Sequence, residues 1–183
     1  MNHQRRFLFR LSCGPRFTVA VTSGASSDLL HDVHEGTLHA AVTADADHVP
    51  IGLDVRWPGS EVAALIVHRD HPLASAPAPV VLRDLVQEQV FWPGQQATVN
   101  VMTQQTLRTA GVYLPRIRSL GGFLAVREAV PERLGVTVAP PSVFRRELAA
   151  GWVRRRDVAD LQVTPGYVLV SRPRGCWSQI HRA

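Results

Sequence analysis

Residues 17–43, FTVAVTSGASSDLLHDVHEGTLHAAVT, decide the fold class. Residues 17–21 are a short run rich in β-branched side chains, and Thr22-Ser23-Gly24-Ala25-Ser26 ends it, as a strand would end. Ser26 or Ser27 suits the N-cap of a helix running to Glu35. Leu29, Leu30 and Val33 fall on one face of that helix, and Gly36 suits a left-handed stop. Residues 38–43 then read as a buried strand. Strand, helix and strand at this length predict a right-handed parallel crossover, hence an α/β fold.

The alternation continues outward. Strands are predicted at 52–57 and 61–68, joined by the turn Trp57-Pro58-Gly59-Ser60. Residues 71–79 hold three prolines and three alanines and read as a connector. A short helix at 81–89 leads to a strand at 90–92, which Pro93-Gly94 breaks. Residues 96–110 form the longest predicted helix, with Val99, Met102, Thr106 and Leu107 facing inward and Gly111 as its stop. A strand at 116–119 and the pair Gly121-Gly122 precede a helix at 123–130. A strand at 136–139, a helix opened by Pro140-Pro141-Ser142 and closed by Gly151, and strands at 152–158 and 167–171 follow. No internal repeat is visible. Such alternation places ligand sites at strand carboxyl ends.

Composition narrows the class. The 183 residues fit one domain or two small lobes, and 45% apolar with 19% charged residues excludes a disordered chain. No stretch approaches the roughly 18 uncharged apolar residues of a membrane span. All 20 basic residues are arginine against 15 acidic ones, net +5. That skew matches the codon usage of a GC-rich genome and is weak evidence for nucleic-acid binding. Arg5-Arg6-Phe7-Leu8-Phe9 loosely matches a twin-arginine signal, but Arg10, Ser12, Gly14, Pro15 and Arg16 interrupt the apolar stretch it requires. A cytoplasmic protein is expected, with Cys13 and Cys176 as reduced thiols that make no metal site.

The order of segments resembles the effector-binding domain of LysR-type transcriptional regulators, a two-lobed fold shared with type 2 periplasmic solute-binding proteins. Residues 17–43 are similar to the family's second strand, first-lobe helix and third strand. Thr37-Leu38-His39-Ala40-Ala41 stands at its "G-x-L-D-x-A" phrase, with His39 in place of the Asp. Residues 61–74 (EVAALIVHRDHPLA) match the family's crossover strand and "hPLa" phrase, and VLRDL at 81–85 matches the helix after it. Residues 130–154 (VPERLGVTVAPPSVFRRELAAGWVR) resemble "VaaGlGialLP...v..el..G.Lv". Pro131-Glu132-Arg133 replaces the family's small residues. Arg6 to Ser12 align with the end of the family's first helix, so the first strand of lobe I, the winged helix-turn-helix and the linker helix are expected to be missing. Only residues 177–183 stand for the last helix.

The resemblance implies an α/β, two-lobed type 2 fold with mixed sheets: lobe I over 1–68 and 167–183, lobe II over 69–166, and no DNA-binding domain in the chain. It implies a small-molecule effector, a carboxylate by the character of the loops, bound between the lobes without a cofactor. Thr43 and Ala44 follow the third strand of lobe I. Gln95, Gln96 and Thr98 stand at a helix start in lobe II, with Leu120 and Gly121 after a strand. Helix N-termini with free N–H groups favour anions. Thr98 also suits a capping role, Gln95 a solvent-facing loop, and Ser23 and Ser26 are read as capping residues only. Pairing of domains side by side is expected, with no direct DNA contact by this chain and no membrane.

Other readings rest on less. His31 and His34 share a helix with Asp28 and Asp32, and His68 and His71 flank the crossover. Zinc needs three or four ligands, so these are read as solvent-exposed histidines and no metal is expected. Ser23-Gly24-Ala25-Ser26-Ser27 lacks the second glycine of a nucleophile elbow, and no enzyme is expected. Arg154-Arg155-Arg156 reads as a solvated strand edge. A transporter's solute-binding protein and a non-regulatory remnant of the domain are the alternative functions.

Overall fold

The computed structural model describes residues 20–22, 24–44, 49–94 and 97–173. Its elements fall into two compact units. One holds residues 61–165; the other holds the described residues of 18–60 together with 166–173.

The smaller unit is built on helix α1 (Ser26–Glu35) and strands β1 (Ala40–Thr43), β2 (Asp54–Ser60) and β8 (Gly166–Ser171). β8 is central, antiparallel to β1 on one side and to β2 on the other. α1 buries Leu30 and Val33 against Ala41, Val168 and Val170. It ends as its sequence requires: Gly36 takes φ +86°, and the N–H groups of Gly36 and Leu38 both donate to Asp32 O at 3.0 Å. Its start differs. Ala25, not Ser26 or Ser27, is the N-cap residue and no side chain caps it.

The parallel crossover expected here is not seen in the described residues. Residues 20–22 are exposed and outside any strand, and 17–19 lie outside the described residues. β2 also runs through the predicted turn at 57–60. Gly59 pairs with Tyr167 and Ser60 with Gly166 after a register shift between Arg56 and Gly59. A bulge of this kind adds a residue to one strand while the pairing resumes beyond it.

In the larger unit, β3 (Ala64–His68) lies between β6 (Thr137–Ala139) and β7 (Val153–Arg156), antiparallel to both. Every residue of β3 is buried, because the central strand is covered on both faces. β3 was expected to close the first lobe at His68; its pairings instead put it with residues 61–165. A parallel pair, β4 (Val90–Trp92) and β5 (Ile117–Ser119), lies beside β6 through a bridge between Val90 and Val136. Helices α2 (Thr98–Thr109), α3 (Phe123–Ala129) and α4 (Arg145–Ala149) complete the unit.

Strand alternation sorts the core into two faces. Leu65, Val67, Val90 and Trp92 join Val99 and Leu107 of α2, while Ile66 and Phe91 join Val126, Val130 and Phe144. The predicted helix at 81–89 is a 3-10 helix, Leu82–Gln87. Asp84 Oδ2 accepts from Val81 N–H at 2.9 Å, and Asp160 Oδ1 from Leu82 N–H at 2.8 Å. Of the arginine run, Arg154 and Arg155 are exposed on β7 as expected, and Arg155 pairs with Asp157. Arg156 is half-buried and donates to the carbonyls of Ala74, Ala76 and Ala78, fastening the Pro/Ala connector to β7.

Candidate functional site

β4 and β5 run parallel, so their carboxyl ends open on the same side, where open α/β sheets hold ligands. Beyond Ser119 the pairing continues for one more bond, from Leu120 N–H to Trp92 O at 2.9 Å. The chain then passes through Gly121, at φ +77°, and Gly122 into α3. A Cβ at either glycine would meet nothing within 4 Å, so open space stands beside both. After Trp92, Pro93 and Gly94 lead through Ala97 to Thr98, the first residue of α2. Two strand-to-helix loops thus stand side by side, and neither carries a charged residue.

The first loop is held by a residue that sequence reasoning missed. Asn100 is almost fully buried, and its Nδ2 donates to Gly94 O at 2.5 Å. Ala97 O accepts from Asn100 N–H at 2.8 Å and from Val101 N–H at 3.1 Å. Asn100 therefore ties the first turn of α2 to the strand break before it. Thr103, whose hydroxyl donates to Val99 O at 2.6 Å, joins Asn100 on the buried face beside Val99 and Leu107, while the predicted Met102 packs half-buried against the same core and Thr106 is half-buried. The available signal was a short amide side chain in a first helical turn, where it reaches back to the preceding loop.

Asn100→Ala is expected to lower the unfolding free energy by about 1–2 kcal/mol, since Gly94 O loses its donor. Urea denaturation reads this as a lower midpoint at unchanged slope. An unchanged midpoint would show that the bond contributes nothing.

Of the predicted site residues, Thr98, Leu120 and Gly121 come together around these loops. Gln95 and Gln96 lie outside the described residues. Thr43 closes β1 in the smaller unit, buried to 3% exposure and paired with Val168; half-buried Ala44 follows it. Cys13, Ser23, Cys176 and residues 177–183 also lie outside the described residues. Ser26 is the first residue of α1 and caps nothing with its side chain.

His31 and His34 are exposed, as expected, and no group of three metal-ligating side chains occurs among the described residues. His68 and His71 differ from the expected solvent-exposed pair. His68 is 8% exposed and His71 is half-buried, and each ring accepts a backbone hydrogen bond. Among the described residues, no helix is long and apolar enough to cross a membrane.

The LysR substrate binding domain profile matches residues 13–176. No curated protein matches the chain. Among solved structures, the CcmR regulatory domain of Synechocystis PCC6803, in complex with 2-PG, is 16% identical with a TM-score of 0.77; the match covers 93% of this chain and 81% of that one. The effector-binding domain of QuiR, in complex with shikimate, is 14% identical with a TM-score of 0.75, over 94% and 81% of the two chains. The regulatory domain of HypT from Salmonella typhimurium is 14% identical with a TM-score of 0.73, over 93% and 82%. At such identities the likeness speaks to the fold, which is the type 2 periplasmic-binding-like fold of these regulatory domains. With the family profile spanning 13–176, the chain belongs to the LysR substrate-binding domain family, the effector-binding part of transcriptional regulators.

Proposed function

We propose that this chain senses a small carboxylate, held between its two lobes by Thr43, Ala44, Gln95, Gln96, Thr98, Leu120 and Gly121. The observation that carries the reading is the pair of adjoining loops at the carboxyl ends of β4 and β5, both opening into helices. The first turn of α2 holds no acidic residue, and its N-terminus supplies partial positive charge. That is worth about 0.3–2 kcal/mol for a bound anion, so binding is weak. The CcmR and QuiR domains, which share the fold, hold 2-PG and shikimate.

The mechanism is a population shift. A ligand that prefers one lobe arrangement by a few kcal/mol resets the equilibrium between arrangements. Paired copies of the domain in the cytoplasm carry that change onward, and the chain itself contacts neither DNA nor membrane. The role is regulatory, not catalytic. Sedimentation velocity at micromolar concentration reads the pairing, and a clean monomer would remove that part of the reading.

Titration of the 15N-labelled chain with small carboxylates is the test. Shifts are expected at the amides of Thr98, Leu120 and Gly121, and they weaken several-fold when Gln95 and Thr98 are both changed to alanine. Unaltered binding by that double variant would place the ligand elsewhere.

A further inference from the structure

Two imidazoles near the end of β3 are held in a form that acid destroys. His68 Nδ1 accepts from Asp70 N–H at 3.1 Å, and His71 Nδ1 accepts from Leu73 N–H at 3.2 Å. A ring nitrogen accepts only when it carries no proton, so in each ring the single proton sits on Nε2. The Nε2 of His71 faces Glu88 Oε2 at 3.2 Å, just past the 3-10 helix Leu82–Gln87. The backbone between the rings is closed by His71 N–H to His68 O, 3.0 Å, and by Ala74 N–H to His71 O, 2.8 Å. Arg69 N–H donates to Trp152 O at 3.0 Å, which joins this turn to the start of β7.

We infer that residues 68–74 form a pH-sensitive fastening, closed while both imidazoles are neutral and released when they take a proton at Nδ1. Protonation turns each acceptor into a donor that faces another donor, so the bonds from Asp70 and Leu73 are lost together with the charge change. The release has a route outward. Protonated His68 Nδ1 faces Asp70 Oδ2 at 3.8 Å, and that same oxygen holds the Arg133 guanidinium at 2.5 Å. Arg133 lies in the turn after α3 at φ +63°, a backbone conformation disfavoured without glycine. Drawing Asp70 toward His68 weakens the contact that restrains this turn.

The charged groups facing His68 are Asp70, Arg69, Arg133 and His71; Glu88 faces His71. Burial, then the Arg133 guanidinium, holds His68 below its ordinary pKa, against the opposing pull of Asp70. The unfolded chain therefore binds the proton first. This contribution to stability is complete above the ordinary value of about 6.5 and is lost as the pH falls from there toward the lowered folded value.

The test is 15N NMR of the full chain between pH 8 and pH 5. At pH 8 both rings are expected as Nε2–H tautomers. Hydrogen-exchange protection at the Asp70 and Leu73 amides is expected to fall about tenfold as their own rings titrate, relative to amides of β3 and β6. His71→Asn keeps a side-chain acceptor for the Leu73 N–H but cannot titrate. It is expected to make Leu73 protection independent of pH while Asp70 still responds. An Nδ1–H tautomer at pH 8, protection that stays level through the ring titrations, or pH dependence at Leu73 persisting in His71→Asn would each overturn the inference.

Discussion

Gly135→Ala is expected to destabilise the protein by about 3 kcal/mol, the upper end of what overpacking a closed site costs. For a chain of this length that lowers the thermal midpoint by roughly 6–12 °C. A Cβ at Gly135 would collide with the carbonyl oxygen of Gln89 and stand 2.7 Å from Cε2 of buried Phe91. Neither neighbour can withdraw. Gln89 O accepts the N–H of Val136 at 2.8 Å, and Phe91 N–H donates to Val136 O at 2.8 Å. These bonds carry β6 alongside β4, so the added methyl must push the two strands apart or tilt the Phe91 ring within its core cluster. Differential scanning calorimetry reads the effect. A midpoint within 2 °C of the parent, by the same per-kcal scale, would show that the strands part without loss.

The second large effect is at Arg127. Its Nε and Nη2 both donate to Glu147 Oε1, at 3.2 and 2.6 Å. Glu147 is 7% exposed, and its other oxygen is buried with no hydrogen-bond partner. Arg127→Met leaves that carboxylate buried without a counter-charge, at a cost of about 3–5 kcal/mol. Adding Glu147→Leu removes the stranded charge and is expected to restore most of the loss. Chemical denaturation of the parent and both variants at pH 8 checks each step. A single variant within about 0.5 kcal/mol of the parent, the range of neutral surface changes, would mean that α3 and α4 do not depend on this pair.

What the sequence made legible follows from how locally each feature is encoded. The apolar run of β3, the break at Pro93-Gly94 and the glycine pair at 121–122 carry their own signals, and they bring Thr98, Leu120 and Gly121 to one end of the β4–β5 pair. The stop of α1 at Gly36 is equally local. β2 was not local: Trp57-Pro58-Gly59-Ser60 has the composition of a turn and becomes strand only because β8 pairs with it from far along the chain. The placement of β3 was hidden for the same reason, since its partners β6 and β7 lie about 70–90 residues downstream. Asn100 was hidden because its target is a backbone carbonyl, which leaves no trace in residue identity. His68 and His71 look like surface residues until their acceptors are seen to hold a turn.

The order of strands in the smaller unit also sets a timetable for biosynthesis. β8 is the middle strand of the sheet, yet it follows β2 by about 100 residues. Ribosomes add roughly 5–20 residues per second, so β1 and β2 leave the ribosome several seconds or more before the strand that joins them exists. During that interval their backbone donors and acceptors lack β8, and Ala41 lacks its cover from Val168 and Val170. Residues 61–165 need nothing from β8 for their own strand pairs and can fold first. A nascent chain stalled before Gly166 is therefore a natural client for chaperones, through its first sheet rather than its second.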